Sequence, residues 1–123
     1  MAKPSAYRIG AELTQGLVVT TGNEVDGYRI AEYLGIVRGL VVRSPTLGQG
    51  FMGSLKSLGG GNIAEFSEVC ELARHEAYGL MHAHATALGA HAVIGMRYDA
   101  TEFSQGITEV LAYGTAVRIV AKT

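Results

Sequence analysis

The chain has 123 residues, enough for one domain with one core, and its ten basic and eleven acidic residues give a net charge of -1. This balance excludes the broad positive field that recruits nucleic acid or an anionic membrane surface, so neither partner is expected. The single cysteine, Cys70, excludes an intrachain disulfide and a multi-cysteine zinc module. Together with an N-terminus that lacks an apolar signal segment, it predicts a soluble cytoplasmic protein.

The first part of the chain predicts an arm, a short strand and a long strand. Residues 1–16 have weak periodicity and are predicted to form an N-terminal arm, and residues 17–123 a single domain. LVVTT at 17–21 is typical of a short β-branched strand and GNEVDG at 22–27 of a turn. The segment YRIAEYLGIVRGLVVRS at 28–44 then predicts a long strand, which Pro45 ends.

A glycine-rich connection at 45–61 leads into one long helix. Asn62 and Glu65 form a capping-box pattern at its start, and Gly89 supplies a C-terminal stop. Between them, residues that recur at spacings of three and four predict the inner face of the helix. These residues are Ile63, Phe66, Cys70, Ala73, Ala77, Met81, His84 and Leu88.

The last part of the chain predicts a hairpin, with strands at 92–103 and 107–122 joined by SQG. Both faces of its second strand are largely apolar, and one helix can cover only one of them. The small residues Ala112, Gly114 and Ala116 suit close approach of the helix. The other face is predicted to meet a second subunit, which agrees with an apolar content of 48%.

All four histidines lie between residues 75 and 91, which raises the question of a metal site. On a helix, His75 and His82 share a polar face but stand about 10.5 Å apart along the axis, too far for one ion. His84 falls on the inner face, as a core or interface histidine hydrogen-bonded to a neighbour, and His91 falls in the turn after Gly89. Glu71 and His75, four residues apart with Glu68 one turn before them, make a weak site at most or simply a solvated pair. His75 and His82 stay candidate ligands only if symmetry brings copies of one histidine together from several subunits.

Two further groups of residues could bind a ligand. Gly59, Gly60, Gly61 and Asn62 place bare amides at a helix N-terminus, where anions bind. The alternative, which the pattern favours, is that Glu65 satisfies those amides and the glycines allow the close approach of a neighbouring subunit. Arg97 and Asp99 alternate onto one sheet face and could orient a polar ligand or form an ordinary surface ion pair. GQGFMG at 48–53 fits a dinucleotide fingerprint in its letters, but lacks the direct strand-to-helix context.

Five stretches resemble the YbjQ-like family of small proteins, whose domains carry a heavy-metal-binding label. They are GYRIAEYLGIVRG, GGGN, ARHEA, ALGAHAVIGMRYD and EVLAYGTAV, in this order between about residues 18 and 120. The resemblance implies an α+β subunit of β-α-β-β order with an antiparallel sheet, similar to a dodecin subunit and assembled as a ring-shaped homopentamer. His84 and His91 stand where the family commonly has other polar residues.

These observations predict a homo-oligomeric, non-enzymatic module that binds a divalent transition-metal ion or a small ligand. The candidate metal ligands are Glu71, His75 and His82. Two alternatives remain open at this stage, an enzyme with a site between subunits built from Arg97, Asp99 and the GGGN loop, and a purely structural scaffold.

Overall fold

The computed structural model describes residues 16–43, 63–104 and 106–123, with the backbone alone for residues 63–69. In chain order the elements are β1 (Val18–Val19), β2 (Tyr28–Arg43), α1 (Ile63–Ala87), β3 (Ala92–Ser104) and β4 (Ile107–Ala121). The long strand, the helix and the hairpin all lie within two residues of their predicted bounds. The predicted arm and the glycine-rich connection lie outside the described residues, apart from Gly16.

The strands form one mixed sheet in the order β1-β3-β4-β2. β4 pairs antiparallel with both β2 and β3, whereas β1 pairs parallel with β3 through Val18 and Val19. The expectation of an antiparallel sheet is therefore wrong at this edge. Alternation of apolar and polar residues identifies a strand but carries no information on the direction in which it pairs.

The helix α1 crosses β2 and β4 and approaches β2 most closely at Gly39. A Cβ atom added at Gly39 would collide with the carbonyl oxygen of Ala77 and the amide of Met81. Ala112 and Ala116 of β4 are fully buried in the same core, which confirms their predicted role under the helix. Gly114 has a different role, because the space beside it is taken by Val93 and by the backbone of β3.

The buried stripe of α1 is narrower than its sequence pattern predicts. Ala73, Ala77 and Met81 are buried as expected, and Ala85 joins them. The other members of the predicted inner face with described side chains, Cys70, His84 and Leu88, are exposed. The approach at Gly39 brings the helix so close to the sheet that small side chains fill the contact and its two borders stay open.

The described residues that cover the face of the sheet opposite α1 lie at one of its ends. There Val25, from the turn before β2, packs with Val18, Ala92, Ile94, Val117 and Ile119 in a second core cluster. At the other end Ile36 is 71% exposed and Leu40 47%, beside half-buried Leu111 and Tyr113. The predicted second apolar face is therefore present, although the chain covers part of it itself.

The turn from α1 into β3 contains Gly89 and His91, the two residues that the sequence predicted for it. Gly89 has a φ of 78°, and Gly89 and Ala90 donate to the carbonyls of Thr86 and Ala85, which together form a Schellman motif. The Arg118 guanidinium donates to the Gly89 carbonyl. His91 lies in the turn as predicted, where its Nδ1 accepts from the Ile119 amide at 3.0 Å.

Candidate functional site

Two surfaces border α1. The first, here called the β2 border, consists of the outer edge of β2, the adjoining uncovered sheet face and the flank of the helix above them. Its members are Ile36, Arg38, Leu40, Val42, Leu80 and His84.

The second surface, here called the Cys70 groove, is a cleft of about 200 Å³ between α1 and the end of the sheet. It is lined by Arg43, Cys70, Ala73, Arg74, Ala100, Gly106, Thr108 and Val110.

The β2 border combines unpaired backbone with exposed apolar side chains. β2 is the last strand of the sheet, and within the described ranges no strand pairs with its outer edge. The amide of Arg38 at this edge donates to Nδ1 of His84, 3.3 Å away. Leu80, one helical turn earlier, is 51% exposed. The predicted hydrogen bond of His84 is thus confirmed, whereas its placement in the core of one chain is wrong because α1 carries it out over the strand edge.

The uncovered sheet face carries the apolar part of the β2 border. In the register of β2 with β4, Ile36 stands opposite Thr115, Leu40 opposite Leu111 and Val42 opposite Glu109, so these side chains share one face. Arg38 stands in a row with Tyr113 and Arg97, which places positive charge in the middle of the apolar surface.

The Cys70 groove is lined by one thiol and two guanidinium groups. Arg43, the last residue of β2, forms an ion pair with Glu76 of the helix. Arg74 lies with its guanidinium carbon 5.6 Å from the centre of the Tyr98 ring. Cys70 is exposed in this groove, so the expectation that its thiol packs as a small apolar group on the inner face of α1 is wrong.

The pKa of Tyr98 reflects its burial and the charges on this side of the helix. Burial raises the pKa of the Tyr98 phenol above its ordinary value of 10.0, the carboxylate of Glu71 adds to the rise, and the Arg74 guanidinium opposes it. Glu71, one of the candidate metal ligands, therefore lies close enough to Tyr98 to act on the ionisation of its phenol.

The candidate metal ligands Glu71, His75 and His82 do not come together within one chain. Glu71 and His75 are exposed, and His82 is half-buried with its ring centre 6.2 Å from that of Tyr78. Among the residues that the structure describes, no three histidine, cysteine, aspartate or glutamate side chains form a group that could hold a metal ion. A metal site built from these three residues alone needs copies of them from another subunit.

Of the candidate ligand-binding residues, Arg97 and Asp99 are described and exposed on the uncovered sheet face. The Arg97 guanidinium donates to the carbonyls of Thr21 and Met96, both at 2.8 Å, and thereby ties β3 to the segment after β1. Gly59, Gly60, Gly61 and Asn62 lie outside the described residues. The binding role of all six stays a prediction.

Sequence reasoning missed the Cys70 groove. Cys70 and Arg74 stand four residues apart, a spacing that puts two side chains on one helix flank. The sequence offers no sign that Arg43, Ala100 and Thr108 meet them there, because this depends on how the ends of three strands lie under the helix.

Comparison with known proteins places the chain in a family. A family model described as "Putative heavy-metal-binding" (YbjQ) matches residues 17–120. The chain belongs to the YbjQ family. A UPF0145 protein of Legionella pneumophila is 59% identical over 103 residues, which cover 84% of this chain and 98% of that one. A UPF0145 protein of Chromobacterium violaceum is 58% identical over 102 residues, which cover 83% of this chain and 87% of that one.

A solved structure shares the fold of this YbjQ family member. It is the crystal structure of a protein of unknown function of the DUF74 family from Pediococcus pentosaceus, with a TM-score of 0.55 and 21% sequence identity. The match covers 86% of this chain and all of the other. Across the described part of the chain, no helix is long and apolar enough to span a membrane.

Proposed function

We propose that this protein is the subunit of a homo-oligomer that assembles through the β2 border and binds a divalent transition-metal ion or a small ligand between its copies. The observation that carries the proposal is the β2 border itself, where an open strand edge adjoins exposed Ile36, Leu40 and Leu80. A small domain gains free energy by burying such a surface against a second copy.

The geometry of the β2 border favours a specific contact between copies, either self-complementary or head-to-tail, over nonspecific association. The Arg38 amide is already occupied by His84, which limits how another strand can pair at this point. Apolar side chains lie on both sides of the strand edge, on the sheet face and on the helix. A neighbouring copy can therefore bury both surfaces together. A ring of five such subunits, similar to dodecin subunits in fold, is the assembly that the family resemblance implies.

The metal part of the proposal follows from the separation of the candidate ligands within one chain. The description of the matched family supports a heavy-metal ion as the ligand. Since no described group of three ligands exists in one chain, the ion is held by Glu71, His75 or His82 from more than one copy. Imidazole and carboxylate ligands of this kind suit Zn²⁺, Ni²⁺ or Cu²⁺.

Elemental analysis of the natively purified and desalted protein tests the metal part. We expect a fixed ratio of Zn, Ni or Cu to subunit, which His75→Ala or His82→Ala lowers while the control Asp26→Asn leaves it unchanged. Asp26 is an exposed carboxylate in the turn before β2, away from the helix. Wild-type protein without stoichiometric metal would overturn this part.

Charged substitutions in the β2 border test the assembly part. Leu40→Lys places a charge on the uncovered sheet face, and we expect it to weaken association so that the protein dissociates at a higher concentration than wild type. Val120→Lys is the matched control, because Val120 is 39% exposed at the far end of β4. Light scattering during dilution measures the dissociation of each variant. Equal dissociation of Leu40→Lys and Val120→Lys would argue against the β2 border as the interface.

A further inference from the structure

We propose that the Cys70 groove binds a small organic anion with a short apolar tail. This goes beyond the proposed assembly and metal binding, since none of the candidate metal ligands lines the groove. The groove lies between α1 and the ends of β2, β3 and β4, and three of the eight described residues that line it, Ala73, Ala100 and Val110, provide apolar surface. Its volume of about 200 Å³ suits a molecule of a few carbon atoms rather than a large cofactor.

The charges around the groove select an anion. The charge of Arg43 is balanced by Glu76 in their ion pair. Arg74 forms no ion pair with a carboxylate of the described residues, so its N–H donors stay open at the rim, although Glu71 acts on the nearby Tyr98 phenol and the Glu102 carboxylate accepts from the Gly106 amide. An open guanidinium beside these carboxylates favours a ligand with a single negative charge over one with more, and an anion over a neutral molecule.

The orientation of Arg74 leaves donors for that anion. Its guanidinium lies against the Tyr98 ring, with 5.6 Å between the guanidinium carbon and the ring centre. A guanidinium held by a cation–π contact does not spend its N–H groups on a carboxylate, and these groups match the two oxygens of a carboxylate ligand. The apolar tail of the ligand would then extend over Ala100 and Val110, and the Thr108 hydroxyl offers a further hydrogen bond.

Cys70 provides the readout for this proposal, since it is exposed and lines the groove. In the full-length protein, the rate of Cys70 alkylation by the neutral reagent iodoacetamide is measured with hexanoate, hexanol or acetate present. Hexanoate has both the charge and the tail, hexanol only the tail and acetate only the charge. We expect saturating hexanoate to slow alkylation at least threefold, whereas equal concentrations of the other two have little effect.

Variants then locate the site. Arg74→Gln is expected to raise the hexanoate concentration needed for half-maximal protection about tenfold, and Ala100→Leu to abolish protection by filling the groove. The control Arg29→Gln removes a distant exposed arginine of β2 and should leave protection unchanged. Isothermal titration of hexanoate provides an independent readout. Wild-type protein that neither binds nor is protected by hexanoate, or that is protected equally by hexanol, would overturn the proposal.

Discussion

At the scale of single residues, the fold depends on positions where one additional side-chain atom would disrupt the packing. Gly39 is the clearest of them, because the backbone of Ala77 and Met81 occupies the space that a Cβ atom would need. The sequence places Gly39 in a strand and Gly79 in the helix but does not show that Gly39 lies against another backbone, whereas a Cβ atom at Gly79 would meet open space. The two glycines therefore have opposite expected responses to the same substitution.

Substitution of these two glycines by alanine tests the close contact of α1 with β2. Gly39→Ala forces the helix away from the strand, and we expect it to lower the free energy of unfolding by about 1–3 kcal/mol or more. Gly79→Ala should raise it by up to about 1 kcal/mol, because alanine is the better helix former and fits without a clash. Urea denaturation at one fixed protein concentration measures both. Similar effects of the two substitutions would contradict the packing described at Gly39.

Tyr98 supplies a second prediction at this scale, on its titration. Since Glu71 raises the pKa of the phenol and Arg74 lowers it, Glu71→Gln should bring the pKa of Tyr98 down towards 10.0, and Arg74→Gln should raise it further. The assignment uses labelled tyrosine in NMR, with Tyr98→Phe identifying the signal among six tyrosines. A shift in the same direction for both variants would contradict the arrangement.

The same pKa shift has a consequence for stability with a definite sign. Folding favours the neutral phenol, so the contribution of Tyr98 to stability is fully present below pH 10.0 and is lost as the pH rises through its raised folded value. Wild-type protein should therefore lose stability above pH 10 more steeply than Tyr98→Phe. Denaturation between pH 9 and 11 compares them, and parallel curves would mean that Tyr98 titrates alike in both states.

At the scale of secondary-structure elements, the sequence predicts most of what the structure contains. Periodicity and turn residues identify β2, α1 and the hairpin, and the pattern of Asn62 before a periodic run agrees with a helix that begins at Ile63. The parallel pairing of β1 and the register shifts of β2 were not predictable. The shifts fall between Ile30 and Glu32 and between Tyr33 and Gly35, and each adds a residue that local periodicity cannot distinguish from ordinary strand.

The C-terminus of α1 gives a prediction at this scale. Gly89 has a φ of 78°, in the left-handed region that costs an alanine about 1 kcal/mol and an asparagine less. Gly89→Ala should therefore destabilise the protein by roughly 1 kcal/mol and Gly89→Asn by a smaller amount. Thermal unfolding at matched concentration provides the comparison. An alanine variant as stable as wild type would show that the Schellman turn is not retained in solution.

At the scale of the whole molecule, the amount of apolar surface was predictable but the position of the sites was not. The two apolar faces of β4 predict a missing second layer, and the structure leaves Ile36 and Leu40 uncovered beside an open strand edge. The histidine cluster, in contrast, separates into four environments. His84 binds a strand-edge amide, His91 binds the Ile119 amide, His82 contacts Tyr78, and His75 faces solvent. Helical geometry predicted that His84 and His91 separate from each other and from the polar face shared by His75 and His82, whereas the partners depend on tertiary packing.

The mass of the wild-type protein in solution tests the central claim, self-association, most directly. Light scattering on a sizing column at micromolar concentration should give a multiple of the 13.0 kDa chain, and for the proposed ring about five times that mass. Another stable multiple would keep self-association and correct the number of subunits. A mass of 13.0 kDa across the micromolar range would contradict the account, because the uncovered face of the sheet would then have no second copy to bury it.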